Sequence, residues 1–277
     1  MTTGQVVDTE TAQEFMTQTL EKASRAELGG IIGALEKKSA HFTALLSPET
    51  LPTLTHEQLR FILRSIFATR RKADTILDVM SVEGLRTSFG YLLYDPASLS
   101  ERFRGFVDCL SGYWSDVRLA RKTPPGKEEA DFPENILCDL AAEILHFTEP
   151  DARWLWTRWM WDPKARTGAL PLVTYEDYDI SGATAGDIYM QVGRGVAFVH
   201  QVGESAGFQT ISRTIFDTDV FLGCVYVVYV YTVLRMRMTQ EFNKVMPGLP
   251  EFLRRLLGVY EKDGNVGAAV AGLGAVV

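Results

Sequence analysis

Asp139, Glu143 and His146 stand four and three residues apart in CDLAAEILHF, a spacing that stacks all three side chains on one face of a helix. Glu-x-x-His on a helix is how bundle proteins present a carboxylate and an imidazole to iron or manganese, but the dinuclear version needs a second copy. None exists, because the residues three before the other histidines are Lys38, Thr53 and Ala197. What remains is a mononuclear metal site with Asp139, Glu143 and His146 as ligands, completed by a carboxylate from another helix. It is set against a histidine satisfied near a helix end.

GESAG, Gly203 to Gly207, matches the G-x-S-x-G nucleophile elbow. In that arrangement the histidine follows the serine in the chain, whereas His41, His56, His146 and His200 all precede Ser205. The chain also lacks the alternating strand and helix pattern that such a sheet needs, so a small-residue turn or helix end is the preferred reading. GRG at Gly193 to Gly195 has Phe198 where a dinucleotide fingerprint has its third glycine, and no phosphate-binding loop sequence occurs.

WLWTRWMWDP carries Trp154, Trp156, Trp159 and Trp161, four of the five tryptophans. At about 100° per residue, a helix would place Trp154, Arg158 and Trp161 on one side and Leu155, Trp156, Trp159 and Met160 on the other. A helix apolar on two sides belongs between other elements, with Arg158 stacked on an indole. Core packing leads. The alternative is an aromatic platform for a planar cofactor of unspecified identity, walled by Trp154, Arg158, Trp161, Tyr226 and Tyr229.

The elements that must carry these residues read as helices. Thr55 and Gln58 predict a capping box, followed by a stripe of Leu59, Ile62, Leu63, Ile66 and Phe67 that resumes at Ala73, Ile76, Leu77 and Met80, with Asp74 paired to Arg70. Ser98 and Glu101 cap the next helix; Asp131 and Pro133 start the one bearing Asp139; Thr148 starts the tryptophan helix, which Pro163 ends. Helices are expected over 187–202, 217–246 and 250–260, and a loop over 164–186. The uncharged run Val220 to Leu234 reads as a buried helix, since its 15 residues fall short of the roughly 20 that a bilayer requires.

Composition narrows the function classes. A 46% apolar content over 277 residues supplies a sizeable core, and a formal charge of −7 with no basic half argues against a general phosphate-backbone binder. Cys109, Cys138 and Cys224 form no C-x-x-C and are odd in number, which argues for reduced thiols; with no positive, apolar N-terminal leader, the expected location is the cytoplasm.

The expectation is an all-α, multi-helix globular bundle of about ten helices, with room for two helical lobes, 1–120 and 134–262, joined at RKTPPGKEEADFP and followed by a flexible Gly/Ala/Val tail, 263–277. The leading function is a cytoplasmic accessory or interaction protein, because every catalytic constellation lacks an essential member. Its expected partner is another protein or a second copy. The rivals are a helical metal- or cofactor-binding enzyme, and a nucleic-acid binder using Arg60, Arg64, Arg71 and Lys72.

Overall fold

The structure, a computed structural model, describes residues 6–121, 134–206, 211–212, 214–237 and 247–259. Among these the chain forms ten α-helices and two short 3-10 turns with no strand, only two isolated bridges, Val7 with Thr174 and Asp162 with Thr167. The helices are α1 (Thr9–Leu20), α2 (Arg25–Leu45), α3 (His56–Arg64), α4 (Ala73–Met80) and α5 (Val82–Tyr94), then α6 (Leu99–Arg121), α7 (Glu134–Thr148), α8 (Ala185–Ala206), α9 (Ile215–Arg237) and α10 (Leu249–Leu256). The fold is all-α, as expected. Apart from Arg121, the linker assignment falls outside the described residues, as do the starts at Asp131 and Pro133 and the tail.

Local chemistry explains the helix starts. Thr55 accepts from the Gln58 backbone while Gln58 reaches back to the Thr55 N–H, and Ser98 with Glu101 does the same before α6. Ser24 and Glu27 add a third such box at α2. The single long helix expected after Thr55 is two, α3 and α4, separated by turns over 65–72. Hydroxyls compete for the backbone there: Ser65 donates to the Phe61 carbonyl and Thr69 to that of Leu63. The break also corrects a pairing. Asp74 joins Arg60 at 2.6 Å and Arg64 at 3.1 Å, while Arg70 lies 4.5 Å over the Phe67 ring.

The tryptophan segment is the main correction, because residues 153–161 are an irregular connection and not a helix. Two of its carbonyls bond outward, that of Trp159 accepting from the Ala169 N–H and that of Met160 from Leu170, while within the segment the Trp156 indole donates to the Trp161 carbonyl. A stretch apolar on every side gains nothing from an amphipathic helix, so its conformation follows the slots the core offers. Trp156, Trp159 and Trp161 are buried and Trp154 is half-buried. Trp156 lies 5.7 Å from Phe103, which stacks at 4.6 Å on Tyr189. The first glycine of GRG serves this packing, since a Cβ on Gly193 would come within 3.2 Å of the Trp154 ring, while one on Gly195 would meet Tyr178 and Leu170.

α7 lies at the centre. Every residue from Ile136 to Thr148 is buried, and the helix packs on α2, α5 and α6. α9 packs against α1, α2, α8 and α10, and buried side chains from both halves of the chain join one apolar cluster. The helix expected over 217–246, which carries the Val220–Leu234 run, begins two residues earlier, at Ile215. That makes a 19-residue stretch long and apolar enough to cross a bilayer, although 67% of its window is buried inside the bundle and it carries buried Asp217 and Asp219.

Candidate functional site

From Ile136 to Thr148 α7 is buried, so the ionisable side chains it carries there depend on partners within the protein. Glu143 finds Lys38 of α2, whose Nζ lies 2.7 Å from Oε2, with both side chains 5% exposed. The same ammonium donates at 3.1 Å to the Leu257 carbonyl beyond α10 and sits 4.0 Å over the Phe147 ring. Burial pushes the Lys38 pKa down and that of Glu143 up; their mutual contact is the main influence favouring the charged pair, helped by nearby Asp219 on Lys38 and by His146 on Glu143.

His146 sits between two acceptors. Nδ1 is 2.8 Å from the Arg153 carbonyl, which can only accept, so Nδ1 carries a proton; Nε2 is 2.8 Å from Asp219 Oδ2 of α9. Burial alone would disfavour the imidazolium, but the Asp219 carboxylate and the Arg153 carbonyl outweigh it and raise the pKa above the ordinary 6.5. In the protonated ring both nitrogens donate, and neither has a lone pair to offer a metal. The stability this pair contributes is full below 6.5 and is lost as pH rises through the raised folded-state value.

α10 completes the enclosure of Lys38. Gly258 follows its end at φ 71°, with its N–H on the Arg255 carbonyl and the Val259 N–H on that of Arg254, a helix-terminating motif that needs the left-handed region. A Cβ there would lie 2.2 Å from the Ser65 carbonyl oxygen and 2.9 Å from Lys38 Nζ. Gly258→Ala is therefore expected to lose about 2 kcal/mol in urea unfolding, the scale of a strained left-handed residue; an unchanged midpoint would show that the end of α10 does not close on Lys38.

Asp139 looks elsewhere. Its Oδ1 accepts the Arg158 backbone N–H at 3.0 Å, and Oδ2 faces Arg158 Nε at 3.6 Å. It borders a cavity of about 440 Å3, partly open to solvent, that runs from Glu134, Asn135 and Cys138 on α7 past Trp156 and Asp162 to Thr184 and Ile188 at the start of α8. Burial raises the Asp139 carboxyl from 3.8 to about 7, against the pull of Arg158. A carboxyl raised on folding holds more protons in the folded state, so its contribution is full below 3.8 and lost as pH climbs through about 7. Carboxyl NMR should show Asp139 titrating near 7, and Asp139→Asn should lose less stability than the wild type between pH 4 and 7; an ordinary midpoint near 4 would refute the burial.

The three α7 residues thus share a helix but not a centre, and among the described residues no cluster of three or more histidine, cysteine or acidic side chains is placed to hold a metal. Of the five aromatic-platform residues only Arg158 lines the cavity; Trp154 packs 5.8 Å from His200, and Tyr226 lies 6.2 Å from Trp159. Tyr229 is half-buried and Trp161 buried, both away from the lining. Ser205 sits in α8 and donates at 3.0 Å to the Val202 carbonyl of its own helix. Lys38, Asp219 and Asn135 escape a motif search. The available signal was charge within apolar stripes: Lys38 falls between Leu35 and Phe42, and Asp219 opens the Val220 run. No family model, no curated protein and no solved structure matches the chain.

Proposed function

We propose that the protein is an accessory protein that works by binding and not by turnover, with the hollow between α7, the tryptophan segment and the start of α8 as its recognition site. One observation carries this reading. Of the three α7 residues that share one face, Glu143 and His146 are closed into pairs with Lys38 and Asp219, and only Asp139 borders open volume. A concave volume of this size, with an apolar flank and a few converging polar groups, is the usual form of a small-ligand site.

The cytoplasmic setting belongs to the same proposal and is supported by three free cysteines, two of them buried, with the Cys224 thiol pushed up to about 12 by burial. Metal catalysis draws no support from a histidine whose two nitrogens are taken up by the Arg153 carbonyl and Asp219. Nucleic-acid binding loses Arg60 and Arg64, which Asp74 engages. A fragment screen by NMR tests the reading. Hits should shift Asn135, Asp139 and the Trp156 indole, remain chemically unchanged, and stop binding in Ile188→Trp, which fills the hollow. Hits confined to other surfaces, or conversion of a hit, would contradict it.

A further inference from the structure

We infer that the hollow beside Asp139 takes a small organic cation, an ammonium or amidinium on a flat apolar body, with the Asp139 carboxylate and the Asn135 carbonyl as its acceptors. The inference rests on the binding reading above and adds the chemical class. Asn135 and Asp139 are four residues apart on α7, so their side chains stand one turn apart on the same wall. The Asn135 Oδ1 is buried and receives no hydrogen bond, a situation proteins avoid unless something else supplies the donor. Asp139 Oδ2 meets Arg158 Nε only at 3.6 Å, too far for a hydrogen bond. Two acceptor oxygens on one face therefore lack close donors.

Charge points the same way. Glu134, Asp139 and Asp162 line the hollow against Arg158 and Lys164, so three carboxyl groups face two cations. The Arg158 side chain is 40% exposed and has solvent to move into when a ligand cation takes its place. The positive end of the α7 dipole, which would otherwise attract an anion, already has Glu134 in its first turn. Trp156 and Ile188 supply an apolar flank for a flat body, and an indole favours a cation near its ring. The start of α8 contributes Ala183, Thr184, Ala185 and Ile188, with no charge. Because burial holds the Asp139 carboxyl toward its protonated form, an arriving cation should displace a proton near neutral pH.

The test titrates the full chain at pH 8 with benzamidine, benzamide and benzoate, three flat molecules of similar size that differ in charge. Benzamidine should bind at least tenfold more tightly than either of the others, shifting the resonances of Asn135, Asp139 and the Trp156 indole. At pH 7 its binding heat should vary with buffer ionisation, the mark of proton release. Asp139→Asn should weaken it at least tenfold with an unchanged circular dichroism spectrum, and Asn135→Leu should weaken it severalfold. Benzamide or benzoate binding there as well as benzamidine would overturn the cation assignment and leave the binding reading standing. Failure of benzamidine to bind also overturns the assignment, and an empty fragment screen at the same residues would then overturn both.

Discussion

Lys38→Met is expected to destabilise the protein by about 3–5 kcal/mol, the usual result of removing one partner from a buried ion pair. The loss comes less from the missing attraction than from Glu143, which would remain among apolar side chains with no donor close by. The double variant Lys38→Met, Glu143→Leu should recover most of it, since a well-packed apolar pair commonly equals or exceeds a buried ion pair in stability. Urea unfolding of the two variants beside the wild type reads this directly. A single-variant loss below about 1 kcal/mol would mean that water reaches Glu143 and that the pair behaves like a surface contact.

Trp159→Ala should lose a comparable amount, about 3–5 kcal/mol, by leaving a cavity where the indole now fills the core. The ring is 7% exposed, lies 6.2 Å from Tyr226 and has Gly223 beneath it; a Cβ on that glycine would come 3.9 Å from the ring's edge. Trp154→Ala should lose clearly less, because that ring is only half-buried. Guanidinium unfolding distinguishes the two, and equal losses would contradict the difference in burial.

Much of the architecture is legible from periodicity and caps. The Thr55 box, the Ser98 box and the apolar run after Asp219 are local signals, and local hydrogen bonds enforce them. The tryptophan segment is not legible in this way. Its apolar residues on both sides satisfy a helical pattern and a buried irregular strap equally well, and the choice is made by long-range bonds such as Ala169 to Trp159. The polar face of α7 was legible as a face, but its division was not. Whether Glu143 meets a metal or Lys38 depends on the approach of α2, 105 residues earlier, and whether His146 is free depends on α9. Asp139 borders a cavity because the connection after α7 turns back across it, which no spacing within α7 records.

The claim that Glu143 and His146 are core structure, leaving Asp139 as the one of the three that faces the hollow, is tested most directly by nitrogen NMR of the His146 ring from pH 5 to 9. The midpoint should lie above 6.5, with both ring nitrogens protonated below it and signals unmoved by added zinc or manganese. A midpoint below 6.5, or signals that shift stoichiometrically with metal, would contradict it.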